Sequence, residues 1–168
     1  MDVREFPPLY TLQPVATTRA KQLDVWRGLV LKACEDKALT TVELASFAGF
    51  SNERIKRSLD MDGRRAVGDA LVGAGLGEWE DATKTRLRVS ARTPEAWGAL
   101  IYEWASQTAR IGTVCTVYEI HSGDDAASTE LAGLHPELCL KALRALEKLG
   151  KVQLFPAQPV DESGVKFL

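Results

Sequence analysis

The sequence has few of the side chains on which most catalytic and metal sites depend. Its two histidines, His121 and His135, have no partner at the spacing of a helical zinc site, and the chain has no Cys-x-x-Cys pair. It also lacks a glycine-rich phosphate loop that ends in Lys-Ser or Lys-Thr, and a serine in a Gly-x-Ser-x-Gly elbow. We therefore expect no catalytic residue, no metal and no cofactor, and the sequence predicts a protein that is not an enzyme.

Cysteine usage and hydropathy both favour a cytoplasmic protein. The three cysteines, Cys34, Cys115 and Cys139, are odd in number and lie among apolar neighbours, which is typical of reduced packing residues. No stretch approaches the run of about 18 apolar residues that a membrane span needs, and the first residues contain no signal-peptide core. We expect the chain to remain in the cytosol.

The charge balance excludes a strong electrostatic attraction to polyanions. Lysines and arginines number 21 against 23 acidic residues, so the formal net charge is −2. A chain without a general positive field does not attract nucleic acid or an anionic membrane over its whole surface. With 45% apolar and 26% charged residues, the chain has the composition of a folding protein, and its length allows one domain or two small ones.

Residues 1–14 form a distinct N-terminal segment, which we call the arm. Pro7, Pro8 and Pro14 oppose an α-helix in this segment and favour an extended or polyproline-like course. The arm also contains apolar side chains, and such a segment gains stability only when those side chains are covered. We therefore predict an extended arm that binds another surface.

The rest of the chain repeats one order of elements. In residues 15–91 the pattern predicts a helix that begins at Thr18, a short helix over residues 52–59, a third helix that ends before Gly75, and a β-hairpin. In residues 92–168 it predicts a helix from Pro94, a short helix over 129–132, a helix over 136–149, and a closing hairpin. This order is that of a winged helix, and it occurs twice.

The sequence thus predicts an α+β, mostly helical fold, with the arm (1–14) followed by two winged-helix domains (15–91 and 92–168). Winged helices often bind DNA through the third helix, so a DNA-binding transcriptional regulator is the alternative function. The basic residues on the third helices lie beside acidic ones, as in the stripe formed by Lys141, Arg144 and Lys148. A solvated helix face explains such a stripe more simply than a phosphate-reading surface does.

Several segments resemble the vacuolar protein-sorting-associated protein 25 family, the small subunit of the endosomal ESCRT-II complex. They are the arm sequence 6–14, the segments 94–98 and 100–104, and the terminal Gly164-Val165-Lys166-Phe167. The resemblance covers nearly the whole chain in order and length, although residues 52–75 resemble the family in pattern alone. The arm and the terminal tetrapeptide are its most specific parts.

The resemblance implies a non-catalytic adaptor in a cytosolic complex that is recruited to endosomes and sorts ubiquitinated cargo into multivesicular bodies. Two copies would dock on two larger winged-helix ESCRT-II subunits, and the membrane would be reached only through the complex. The family assigns partner docking to the arm. The arm residues expected to dock are Phe6, Pro7, Pro8, Leu9, Tyr10, Leu12 and Pro14.

Two other interpretations of the arm remain open at the level of sequence. The arm can pack on its own first domain, as ordered termini often do. Residues 7–10, Pro-Pro-Leu-Tyr, also fit the Pro-Pro-x-Tyr form of a ligand for a WW domain.

For the second domain, the resemblance implies a contact with an ESCRT-III subunit through that partner's basic first helix. A basic helix calls for an acidic acceptor, and the best candidate is the loop with Asp124, Asp125 and Glu130. No lysine or arginine lies between Ile120 and Pro136 to neutralise it. The alternative is an ordinary solvated loop, in which case the basic stripe of residues 141, 144 and 148 is the next face to consider.

Overall fold

The computed structural model describes residues 2–168, and Met1, the first residue of the predicted arm, lies outside the described residues. The chain divides into two compact units, one that ends at Ala91 and one that runs Arg92–Leu168. Each unit has its own cluster of buried apolar side chains. The expected mixed, mostly helical fold class is confirmed.

The first unit places two long helices against a three-stranded sheet. Two 3₁₀ turns form the arm, Val3–Glu5 and Pro7–Tyr10. The other elements are α1 (Ala16–Asp36), β1 (Thr41–Glu43), a 3₁₀ turn (Ala48–Phe50), β2 (Ser51–Asn52), β3 (Arg57–Ser58), α2 (Met61–Gly73), β4 (Gly77–Trp79) and β5 (Arg86–Val89). Strand β5 is central and pairs antiparallel with both β1 and β4, while β2 and β3 form a separate hairpin.

The core of the first unit lies between α1, α2 and the sheet. Trp26, Val30, Leu71 and Leu87 are all at most 1% exposed. Helix α2 begins after Asp60, whose carboxylate accepts a hydrogen bond from the Gly63 amide at 2.8 Å and so caps the helix.

A glycine on α2 lets this helix lie directly on the β4–β5 hairpin. A Cβ atom at Gly68 would overlap the Trp79 ring, so no larger residue fits there. The close approach explains why a glycine stands within a helix, where it costs about 1 kcal/mol relative to alanine.

The second unit has the same order of main elements. They are α3 (Pro94–Gln107), β6 (Val114–Thr116), α4 (Val117–Ser122), a 3₁₀ turn (Asp124–Ala126), α5 (Pro136–Lys148), β7 (Val152–Phe155), a 3₁₀ turn (Val160–Glu162) and β8 (Gly164–Phe167). Strand β8 is central, between β6 and β7, and all pairs are antiparallel. Helices α3 and α5 pack closely at Gly98, where the absence of a side chain leaves room for the neighbouring helix. A Cβ atom at this position would lie 2.9 Å from the Ala142 carbonyl oxygen.

Three local predictions were wrong. Residues 52–59 form most of the β2–β3 hairpin and no helix, because Lys56 takes a positive φ of 54° in the turn and the Leu59 amide bonds to the Phe50 carbonyl at 2.9 Å. Residues 129–132 form turns, and the short helix is α4 instead. Helix α1 begins at Ala16, ahead of Thr18.

The arm also differs from the predicted extended course. Pro7 and Pro8 stand at the first positions of a 3₁₀ turn, where the missing amide protons would have had no partner inside the turn. Proline therefore opposes the interior of a helix but is compatible with this short turn.

Candidate partner-docking surfaces

The inner side of the arm is packed on the first unit. Leu9 and Tyr10 are each 5% exposed. The Tyr10 ring meets the Trp26 ring edge-on at 5.5 Å between centroids, and its hydroxyl donates to the Arg4 carbonyl at 2.9 Å. Burial raises the pKa of Tyr10 above its ordinary value of 10.0, so the phenol stays neutral as a donor.

A polar contact from α1 holds the arm backbone in place. The Gln22 amide nitrogen donates to the carbonyls of Leu9 at 2.9 Å and Thr11 at 2.8 Å. Its carbonyl oxygen accepts from the Gln13 amide at 3.0 Å, and Trp26 Nε1 also donates to Leu9 O at 3.0 Å. A single buried side chain thus satisfies three backbone groups of the arm.

Sequence reasoning missed Gln22, although a signal was present. The buried face of α1 repeats every four residues through Gln22, Trp26, Val30 and Cys34. A glutamine on a buried stripe needs hydrogen-bond partners, and the nearest unpaired backbone in sequence is the preceding arm.

The far end of the arm contacts the β2–β3 hairpin. Asn52 Nδ2 donates to the Arg4 carbonyl at 2.8 Å, and Arg54 forms an ion pair with Glu5 at 2.7 Å. The arm is therefore anchored at one end by a helix and at the other by a hairpin.

The structure separates the seven predicted docking residues into two groups. Leu9 and Tyr10 face the first unit, whereas Phe6 remains 50% exposed. Leu12 is half-buried, and the residues with exposed rings are Pro7, Pro8 and Pro14. For Leu9 and Tyr10, the alternative in which the arm packs on its own domain is therefore the one observed. A WW domain could not read residues 7–10 as they stand, because they form a 3₁₀ turn and bury the tyrosine.

The acidic loop of the second unit is largely paired within the unit. Asp125 accepts from Arg110 at 2.9 Å, and Glu130 forms an ion pair with Arg92. The prediction that no basic residue neutralises the loop was wrong, because the two arginines come from either side of α3 and not from the loop's own sequence. Asp124 is exposed and lies in the 3₁₀ turn that follows α4.

The Arg110 side chain packs against Trp104 as well as pairing with Asp125. Its guanidinium lies 4.7 Å from the centroid of the Trp104 ring, and Trp104 Nε1 donates to the Asp125 carbonyl at 3.2 Å. The tryptophan therefore fixes both members of the Arg110–Asp125 pair.

The basic stripe lies on the outer face of α5. Arg144 and Lys148 are exposed there. Together with Lys141 they border an open groove of about 440 Å³, whose other lining residues are Pro94, Glu95, Ala145 and Leu149. The groove brings cations beside one carboxylate and an exposed leucine.

The described residues contain no arrangement that we can assign to catalysis or metal binding. Burial raises the pKa of Cys115 to about 11 and that of Cys139 to about 12, so both thiols are neutral near pH 7 and are not nucleophiles. Residues 2–168 hold no group of three or more metal-binding side chains. Within the same residues, no helix combines the length and the apolarity that crossing a bilayer requires.

His121 has a packing role. Its Nδ1 lies 2.6 Å from Ser122 Oγ, and its Nε2 lies 2.7 Å from Asp161 Oδ1. Both ring nitrogens are therefore occupied, and the contact ties α4 to the 3₁₀ turn that precedes β8.

Comparison with known proteins points to one family. The profile of the ESCRT-II complex subunit family matches residues 3–135. The chain is 38% identical to the vacuolar protein-sorting-associated protein 25 of Danio rerio, over 96% of this chain and 94% of the relative. It is 36% identical to that of Homo sapiens, over 96% and 93%, and 34% identical to that of Arabidopsis thaliana, over 96% and 91%.

Solved structures share the fold. The crystal structure of the VPS25 subunit of the endosomal trafficking complex ESCRT-II superposes with a TM-score of 0.78 and 22% identity, over 100% of this chain and 98% of that chain. The VPS22/VPS25/VPS36 complex contains a chain that superposes with a TM-score of 0.75, also at 22% identity, over 100% and 98%.

Proposed function

Because this chain belongs to the ESCRT-II complex subunit family, we propose that it is an adaptor subunit that docks on larger ESCRT-II subunits and serves endosomal sorting. The chain is not an enzyme. Its role is then to hold other proteins together at the endosome, which it reaches from the cytoplasm as part of the complex. Two larger subunits are the proposed partners, as in the solved VPS22/VPS25/VPS36 assembly.

The observation that carries this proposal is the exposed rim of the anchored arm. Phe6 presents half of its surface to solvent beside the exposed Pro7 and Pro8, while Leu9 and Tyr10 hold the turn beneath them. A ring held in this way loses little conformational entropy when it enters a pocket on a partner. We assign direct contact to the rim, and we assign to Leu9 and Tyr10 the positioning of that rim.

Phe6→Ala is the cleanest test, since Phe6 is not part of the buried core. Tyr10→Ala would remove both a core contact with Trp26 and any docking contact, so it cannot separate the two roles. An aromatic anchor is worth about 2 kcal/mol, so Phe6→Ala should weaken binding to the larger subunits about thirtyfold.

Titration calorimetry of the full chain against the assembled larger subunits measures this loss. Val72→Ala is the matched control, because Val72 is an exposed apolar residue of the same unit at 36% exposure. Unchanged affinity of the Phe6 variant would contradict the assignment.

We further propose that the second unit recruits an ESCRT-III subunit through the loop with Asp124, Asp125 and Glu130. The support is that all three residues are exposed, with Asp124 in the 3₁₀ turn and the other two carboxylates at 55% and 63% side-chain exposure. A basic partner helix would have to replace Arg92 and Arg110 at those carboxylates. Exposed pairs of this kind contribute about 1 kcal/mol or less each, so the exchange is accessible.

Charge reversal of all three residues to lysine tests the loop. If the loop steers association, the on-rate for the basic helix should fall and its dependence on salt should flatten. Binding that survives the triple reversal at low salt would exclude the loop, and the basic stripe on α5 would be the next face to test.

A further inference from the structure

Ser58 lies in a patch of positive charge on the β2–β3 hairpin. Strand β3 consists of Arg57 and Ser58, both exposed, and it follows a turn that contains Arg54 and Lys56. The Ser58 hydroxyl is 2.9 Å from the hydroxyl of Ser51, its antiparallel partner. The hydroxyl is thus at the surface, with three basic residues among the four that precede it.

Arg64 of α2 donates a hydrogen bond to this hydroxyl. Its Nη2 is 2.9 Å from Ser58 Oγ, and its other nitrogens donate to the carbonyls of Leu59 at 2.7 Å, Leu44 at 2.6 Å and Ala45 at 3.2 Å. All four acceptors are neutral. Among residues 2–168 no carboxylate lies within 4.0 Å of this guanidinium.

Two of the three flanking cations are also without acidic partners. Lys56 and Arg57 form no ion pair with any described residue, whereas Arg54 is paired with Glu5 of the arm. The carboxylate nearest in sequence after Ser58 is Asp60, and it is occupied as the cap of α2. An anion on Ser58 would therefore meet several uncompensated positive charges.

We propose that Ser58 is a phosphorylation site for a serine kinase that selects basic residues before its acceptor, and that Arg64 holds the resulting phosphate. In the transfer, Ser58 Oγ attacks the γ-phosphorus of ATP and a new P–O bond forms. The bond from that phosphorus to the β–γ bridging oxygen breaks, ADP leaves with the electron pair, and the serine proton passes to the kinase's catalytic base.

The phosphate changes the hairpin through charge-assisted hydrogen bonds. Phosphoserine carries a charge of about −1.5 to −2 near pH 7, and a guanidinium donates to it more strongly than to a hydroxyl. Since Arg64 also binds the carbonyl of Leu44 after β1, the modification ties the hairpin to α2 and to the region after β1. The same hairpin holds the arm through Asn52 and Arg54.

Site-specific incorporation of phosphoserine at position 58 of the full chain tests the structural part. The readout is amide exchange at Leu59, whose amide bonds across the hairpin to Phe50. We expect that exchange to slow about tenfold relative to the Ser58 protein. Phosphoserine at position 128 is the matched control, because Ser128 is exposed in a loop without lysine or arginine.

In an Arg64→Lys background, which keeps the charge but loses the planar fork, most of that slowing should disappear. Exchange at Leu59 that is unchanged or faster in the phosphoserine-58 protein would overturn the proposal. So would slowing of equal size with and without Arg64.

Incubation of the folded full chain with ATP and the catalytic domain of a basic-directed serine kinase tests the acceptor. Phosphate incorporation, located by mass spectrometry, should be lost in Ser58→Ala and retained in Ser128→Ala. Arg57→Gln should slow incorporation without changing the site. Failure of the folded chain to accept phosphate at Ser58 would overturn the assignment.

Discussion

Replacing Gln22 with alanine should release the arm from the first unit. The side chain makes three hydrogen bonds of 3.0 Å or less to the arm backbone, with Leu9 O, Thr11 O and the Gln13 amide. Each contributes about 1 kcal/mol net, so the closed arm should lose about 3 kcal/mol. The free energy that keeps the arm closed falls by this amount, which raises the open fraction about a hundredfold.

The arm can detach from the first unit without unfolding it. Detachment exposes Leu9 and Tyr10, at about 2 kcal/mol each, but returns backbone entropy of about 1 to 2 kcal/mol for each released residue. This entropy offsets the cost of exposing the two side chains, so Gln22→Ala should open the arm while the first unit stays folded.

Amide exchange followed by NMR on the full chain distinguishes opening from the simple loss of one bond. The amides of Leu9 and Thr11 bond to carbonyls within the arm and not to Gln22. They should exchange about a hundredfold faster, whereas Lys21→Ala, an exposed neighbour on α1, should leave them unchanged. Acceleration confined to the Gln13 amide would refute the reasoning.

Three other predictions concern the second unit, the β4–β5 turn and nucleic acid. Arg110→Gln frees the Asp125 carboxylate and should strengthen binding of a basic ESCRT-III helix a few-fold, as measured by fluorescence anisotropy; weaker binding would show that the arginine itself contacts the partner. Hydrogen bonds from Thr83 and Thr85 hold the pKa of Asp81 well below its ordinary value of 3.8. The stability that this carboxylate contributes is therefore present above about pH 4 and is lost as the pH falls through its lowered pKa. Asp81→Asn should remove that part of the acid dependence of the melting temperature, and an unaltered pH dependence would contradict this prediction. At physiological salt the chain should show no nanomolar, sequence-specific binding to duplex DNA in a filter or anisotropy titration, and such binding would favour a transcriptional regulator.

The long helices of the second unit illustrate what local pattern can predict. Helices α3 and α5 begin at Pro94 and Pro136, where proline suits the first turn, and their apolar side chains recur at helical spacing. Gly150, with a positive φ of 71°, follows the end of α5. Neighbouring residues determine these features, so they were predicted to within a residue or two.

The short elements were harder to predict. The Thr116–Glu119 capping box marks the start of α4, but the sequence prediction placed the short helix of this unit at residues 129–132 instead. The charge pattern of residues 52–59 suggested a helix. The segment forms a hairpin instead, with Phe50 and Leu59 buried at its two ends and joined by a backbone hydrogen bond.

The sequence by itself determined the mixed, mostly helical fold class and, through its resemblance to known relatives, the family of this chain. Only the tertiary structure decided which groups meet. Gln22 reaches the arm, Arg92 and Arg110 neutralise the acidic loop, and Arg64 points at Ser58. Periodicity and capping act over a few residues and can be read along the chain, whereas each of these contacts joins segments that only the packed helices and strands bring together.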